Sequence, residues 1–269
     1  AEEMHNQKGR SWRPLEDTTL MAPMRAYNAN GWHSWRRGVD YYDEGTLIWL
    51  EVDTKIRQLT KGERSLDDFC RRFHGGAGGI AEVKPYTFDD IVAGLDNVAA
   101  YDWKTLLTRR LSETANEAPL AGLSQGGWRL AFADKPTSFE KAAQALRKRI
   151  DLSASIGLLL TNEGAIGDVV RGTAAYKAGL GPGMKVVAIN GRRFSPEILQ
   201  EALAAAKKPD ASLELLVENG DIFRTFTVEY HDGARHPRLE RLPDQPDLLS
   251  KILAPRTAPA PAKSQPASN

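Results

Sequence analysis

Residues Gly172 to Gly191 read GTAAYKAGLGPGMKVVAING. Thr173-Ala174-Ala175 is a small-residue turn leading into a short helix that ends at Gly179-Leu180. A Gly-Pro-Gly turn, Gly181 to Gly183, follows, then an apolar strand, Met184 to Ile189, and a turn at Asn190-Gly191. Glycine at 179, 181 and 183 suits positions that need a positive φ. Asn-Gly after an apolar strand is among the strongest short-range turn signals. Further strands are expected at Ile156–Leu160, Ala165–Val170, Ser212–Glu218 and Phe223–Tyr230. Among them lies one longer helix, with Ser195 as N-cap, Pro196 at the first helical position and an end near Lys207.

This order of turn, Ala-Gly-Leu, glycine turn, strand and Asn-Gly resembles the core of a bacterial PDZ domain, a fold that binds extended peptides. The resemblance implies that a peptide, or a protein C-terminus, adds as a further strand beside Ile156–Leu160, with the Ser195 helix on its other side. Backbone N–H groups around Ser155, Ile156, Gly157 and Leu158 would then receive a terminal carboxylate or a peptide carbonyl. Gly157 would let that carboxylate approach bare backbone. From the helix, Ile198, Leu199, Ala202 and Leu203 are the apolar candidates, some for the groove and some for the core. A PDZ-shaped packing module with an occupied or shallow groove is the competing expectation, because fold does not settle function.

Upstream the period is helical. Ile48, Val52, Ile56 and Leu59 recur on one face of a helix from Asp43 to about Thr60, with Glu51, Lys55 and Gln58 on another. Ser65 with Asp68 and Thr87 with Asp90 read as capping boxes opening two more helices, and Asp102 caps a fourth. The first of the capped helices is expected to stop at the glycines Gly75, Gly76, Gly78 and Gly79. From Gly122 the period shifts towards two at Trp128, Leu130 and Phe132, before a helix from Phe139 to Arg149 capped by Thr137. The expected architecture is α+β. An all-helical unit over residues 1–121 is followed by a strand–helix connector at 122–150. A PDZ-like barrel or sandwich covers 151–237, and an extension covers 238–269, disordered from about 255.

The chain has 269 residues, room for about two domains. With 36 basic and 35 acidic residues it carries a formal charge of +1, which gives nucleic acid no electrostatic footprint. The arginine doublets at 36–37, 71–72, 109–110 and 192–193 read as solvated faces. No apolar run approaches the ~18 residues of a membrane span. Residues 1–5, AEEMH, are no signal peptide and open no recognisable element, so a removed leader or a longer polypeptide is expected.

Chemistry-bearing motifs are sparse. The five histidines, His5, His33, His74, His231 and His236, make no H-E-x-x-H and no i, i+4 pair, so no metal site is expected. Cys70 reads as a small core residue. Gly122-Leu123-Ser124-Gln125-Gly126 matches G-x-S-x-G, but a strand follows the serine where a nucleophile elbow needs a helix, and the segment reads as a loop. Tyr41-Tyr42-Asp43-Glu44-Gly45 stands at the entrance of the first long helix, where a tyrosine can donate its phenol O–H to a developing oxyanion.

The string YYDEGTLIWLEVDTKIRQLTKGERSLDDF from Tyr41 is similar to a stretch of the bacterial glycyl aminopeptidase family, zinc metallopeptidases with a C-terminal PDZ domain. Ile56-Arg57, Thr60-Lys61-Gly62 and Ser65-Leu66-Asp67-Asp68 fall in register with that family's pattern, whereas Glu44 stands where lysine is usual. The likeness runs from about residue 10 to residue 250. It implies that Tyr42 stabilises the zinc-bound intermediate. The zinc ligands and general-base glutamate would lie N-terminal to this segment, so this chain needs no cofactor of its own while the full-length parent carries zinc. The expected partners are peptides and the N-terminal catalytic part of the same polypeptide, in a periplasmic or secreted bacterial setting. The alternative is a non-catalytic peptide-binding scaffold.

Overall fold

The computed structural model describes residues 1–21, 31–75, 83–208, 210–255 and 257. The N-terminal segment, whose polar start opens no element recognisable from sequence, forms α1 (Glu2–Asn6), a 3₁₀ turn (Lys8–Ser11), α2 (Leu15–Met21) and α3 (His33–Arg36). Met4 and Leu15 anchor it, and Asn6, Gln7, Arg10 and Arg13 are buried with them. The long helix α4 spans Tyr41–Leu59, then α5 spans Leu66–Phe73, α6 Phe88–Asp96 and α7 Trp103–Ser112. Both capping boxes are present, and Asp102 accepts the Thr105 N–H at 3.1 Å.

The stripe Ile48, Val52 and Ile56 packs against Phe69, Leu95, Trp103 and Leu107 as one core. Each such side chain contributes roughly 1.5–3 kcal/mol on burial. Trp103 is wholly enclosed, and its indole N–H donates to the Ala99 carbonyl at 2.8 Å. Glu51, on another face from the apolar stripe, is buried as well, where a bidentate pair with Arg110 at 2.8 and 2.9 Å compensates its charge.

Helix α8 (Ala121–Gln125) follows, correcting the loop expected for G-x-S-x-G. It lies against α4 because Gly122 has no side chain; a Cβ there would come within 2.6 Å of the Glu51 backbone nitrogen. Ser124 Oγ donates to the Ala121 carbonyl at 3.0 Å, a local contact and no catalytic partner.

Strand β1 (Trp128–Ala133) precedes α9 (Ser138–Arg147), β2 (Arg149–Leu152), β3 (Leu158–Thr161) and β4 (Ile166–Val169). Next come α10 (Ala174–Ala178), β5 (Lys185–Ile189), β6 (Arg192–Arg193), α11 (Pro196–Ala205), β7 (Leu213–Asn219) and β8 (Ile222–Val228). The chain continues through β9 (His236–Arg241) and α12 (Leu248–Leu253). Three open antiparallel sheets result, in the orders β1-β9, β2-β3-β4 and β6-β5-β7-β8.

A second core joins Ile150, Leu152, Ile156, Leu158, Ile189, Leu199, Leu203, Leu213 and Leu215 between the two larger sheets and α11. In the Gly172–Gly191 stretch, Gly179 ends α10 at φ +93°, while Gly181 stays outside the left-handed region. The boundary expected between 237 and 238 falls inside β9, which pairs all along β1.

The architecture is therefore α+β. Among the described residues no helix is long and apolar enough to cross a membrane. Gly76, Gly78, Gly79 and the tail expected to be disordered lie outside the described residues, apart from Gly75, Pro255 and Thr257.

Candidate functional site

The start of α4 is built on buried charge. Arg37 adopts φ +57°, a left-handed conformation that costs a non-glycine residue strain. Its guanidinium donates to Asp40 Oδ2 at 2.8 Å, to the Arg13 carbonyl at 2.7 Å and to Glu44 Oε2. Arg10 grips the same Glu44 carboxylate with two hydrogen bonds of 2.9 and 2.8 Å. These two guanidiniums and the two carboxylates are all buried. The doublet Arg36-Arg37 is thus no solvated face: Arg37 is interior and Arg36 points out.

Two residues before Glu44, on the first turn of the same helix, Tyr42 is 69% exposed. Its ring lies 4.7 Å from that of Tyr41, and its phenol has no hydrogen-bond partner among the described residues. It borders a cleft of about 620 Å³ whose walls include Trp49, Cys70, His74 and Tyr86. Cys70 is exposed in this wall, not packed in the core, because its side of α5 faces away from Phe69's. Partial burial raises its thiol pKa, and the neighbouring Asp67 adds to the effect, so the thiolate is disfavoured.

The histidines are scattered. His236 is buried in β9 and its Nδ1 pairs with Glu140 at 2.6 Å, and His231 Nδ1 sits 2.8 Å from the Ala206 carbonyl. His5 lies against the Phe132 ring, while burial and the charges of Lys8 and Arg235 lower its pKa. Among the described residues no three His, Cys, Asp or Glu side chains come together as a metal site. The donor set of these residues does not fit zinc.

The groove expected beside Ile156–Leu160 has a different geometry. Strand β3 is the middle strand of its sheet, paired with β4 on one side and with β2 on the other. The chain's own Arg149–Leu152 thus takes the position at which an added strand would pair. Ser155 N–H and Gly157 N–H both donate to the Leu152 carbonyl, at 3.0 and 2.9 Å. Ile156, Leu158 and Leu199 are core side chains, Ala202 is buried beside them and Ile198 is half-buried against them.

Gly157 sits at φ +88°, and a Cβ there would overlap the Thr173 hydroxyl, so its glycine serves the packing of this turn. Ser155 Oγ accepts the Arg235 N–H at 2.9 Å, tying the turn to the segment before β9. Five of the seven positions, Ile156, Leu158, Ile198, Leu199 and Ala202, share one core, and the strand edge beside them is paired with β2. Strand β2 carried the missing signal: Ile150 and Leu152 alternate with Arg149 and Asp151.

No protein-family model matches the chain, and no curated protein matches it in sequence. Its fold is similar to the crystal structure of an aminopeptidase N family protein from Idiomarina loihiensis, with a TM-score of 0.58 and 18% identity. That match covers 94% of this chain and 43% of the other, so the chain spans less than half the length of its structural neighbour. A slighter match, with a TM-score of 0.22 and 18% identity, is to the HtrA3 PDZ domain bound to a phage-derived ligand, covering 42% of this chain and 91% of that one. The likeness to the longer protein is one of fold, extending over both the helical unit and the sheets.

Proposed function

We propose that this chain is the C-terminal portion of a zinc aminopeptidase, and that Tyr42 is its contribution to the reaction. The observation that carries the reading is the exposed, unpartnered phenol of Tyr42 over an aromatic cleft, on a helix start locked by buried ion pairs. Catalysis of amide hydrolysis needs a donor waiting where negative charge develops on the carbonyl oxygen. A preorganised O–H does this without reorganising during the step. The clamp on Glu44 holds the first turn of α4 and so fixes where the Tyr42 side chain leaves the backbone. Tyr41 limits its rotation by ring contact.

Attack on the carbonyl, and the metal and base that such attack needs, fall to the rest of the polypeptide. The fold likeness to a protein more than twice as long supports that division of labour. The β-sheet domain acts in this reading as a packing partner for the helical unit, with β2 filling the position of an added peptide strand.

The test is an aminopeptidase assay, with metal analysis, on the longer polypeptide that contains this chain. Hydrolysis of aminoacyl amides together with stoichiometric zinc is expected of it. A longer polypeptide that hydrolyses no aminoacyl amide would overturn the reading.

A further inference from the structure

The face of the β2-β3-β4 sheet turned away from its core carries two aspartates flanking a leucine, of which Asp151 already accepts from the Ser153 N–H and hydroxyl through Oδ1. Antiparallel register sets Asp151 of β2 beside Leu159 of β3, and Leu159 beside Asp168 of β4. The N-terminal helices lie over this row and leave a cavity of about 230 Å³, whose titratable and charged lining is Glu3, His33, Arg147, Arg149, Asp151 and Asp168.

Asp168 is only 7% exposed. Its Oδ2 accepts the Ser34 N–H at 2.9 Å, while its Oδ1 and the Ser34 hydroxyl are buried without a partner. A buried carboxylate is expensive unless paired, and native proteins leave few buried polar atoms unsatisfied. The two orphans belong to the two residues of one contact and are sealed from the cavity, so a ligand meets them only by opening that contact. Arg147 and Arg149 border the same cavity, and among the described residues neither forms an ion pair with Asp168, Asp151 or any other carboxylate. Opposite charges thus share one cavity without meeting. A ligand bearing both a cation and an anion would satisfy them together.

We propose that this cavity binds a free α-amino acid, its ammonium against Asp168 and Asp151 and its carboxylate against Arg147 and Arg149. The volume lies below the ~300 Å³ at which drug-sized pockets begin, which suits a molecule of this size. A divalent cation is a poorer fit, because no three metal-ligating side chains converge among the described residues. The cavity shares no residue with the Tyr42 cleft, so the site stands or falls independently of any peptidase activity.

Calorimetric titration of this chain with L-alanine tests the proposal, with N-acetyl-L-alanine and L-alaninamide as probes that lack the cation and the anion. One-site, saturable binding of L-alanine is expected, with each control at least about tenfold weaker. Asp168→Asn keeps an acceptor for the Ser34 N–H and should weaken L-alanine at least about tenfold. Arg149→Gln, at a half-exposed position, should do the same and decides the matter if Asp168→Asn does not fold. No saturation by L-alanine up to about 10 mM would mean that the cavity holds solvent, and the proposal fails. It also fails if either control binds as tightly as L-alanine, or if Arg149→Gln leaves the affinity unchanged.

Discussion

Substituting Glu44 with glutamine strikes the charge cluster beneath Tyr42. In the native protein one carboxylate serves two guanidiniums whose side chains are 4% and 1% exposed. Arg37 keeps Asp40 and the Arg13 carbonyl. Glutamine keeps one acceptor oxygen but no charge. Arg10 therefore loses its bidentate carboxylate partner and at least one of its two strong hydrogen bonds, with a 3.9 Å contact to the Met4 sulfur beside it and its Nε already unsatisfied. Removing one partner of a buried pair costs about 3–5 kcal/mol, because the charge left behind is still desolvated. For a chain of this size that is a fall in melting temperature of roughly 6–20 °C, at about 2–4 °C per kcal/mol.

Urea denaturation followed by far-ultraviolet circular dichroism reads the loss directly. The double change Arg10→Met with Glu44→Leu removes the orphaned charge and should recover most of the stability, since a hydrophobic pair can replace a buried ion pair at little net cost. A Glu44→Gln protein that loses less than about 1 kcal/mol would refute the argument that this cluster is held by burial and pairing.

Gly157→Ala should destabilise the protein by more than about 2 kcal/mol, combining a positive φ with overlap on Thr173, as urea denaturation will report. Gly122→Ala should push α8 off α4 and cost about 1–3 kcal/mol by the same measurement. The Ser65 backbone N–H holds the Asp68 carboxyl below the ordinary aspartate pKa, with Arg71 assisting. A depressed group adds stability above its unfolded pKa and loses it as pH falls through the folded one. Asp68→Asn should therefore flatten the decline in stability below about pH 4, and an unchanged acid limb would contradict the assignment.

Much of the fold was readable from local chemistry. The capping pairs Ser65 with Asp68 and Thr87 with Asp90, the Pro196 helix start and the Asn190-Gly191 turn are short-range devices whose geometry follows from a few adjacent residues. Strand β9 was not readable, because His236–Arg241 contains Pro237 and three charged residues, and its partner β1 lies more than a hundred residues earlier. Proline survives there because the two-stranded sheet consists entirely of edges.

Strand β2 escaped notice because it is four residues long and follows α9 through Lys148, a left-handed residue with no glycine to mark the turn. Its presence closes the edge on which the peptide groove was expected. The buried roles of Arg10, Arg37, Glu44 and Glu51 were invisible for another reason. A charged side chain reads as solvated until tertiary structure supplies its partner. Tyr42, by contrast, was flagged by its place before an amphipathic helix, and the structure puts it at the rim of a cleft.

The measurement closest to the central claim is kcat and KM for an aminoacyl amide in the longer polypeptide carrying Tyr42→Phe. An exposed phenol contributes little to folding, so the urea midpoint should not move. Loss of one oxyanion donor should lower kcat by about 10²–10³-fold with KM nearly unchanged, while Tyr41→Phe should keep most of the activity. A Tyr42→Phe enzyme with undiminished kcat would contradict the role assigned to this residue and the account built on it.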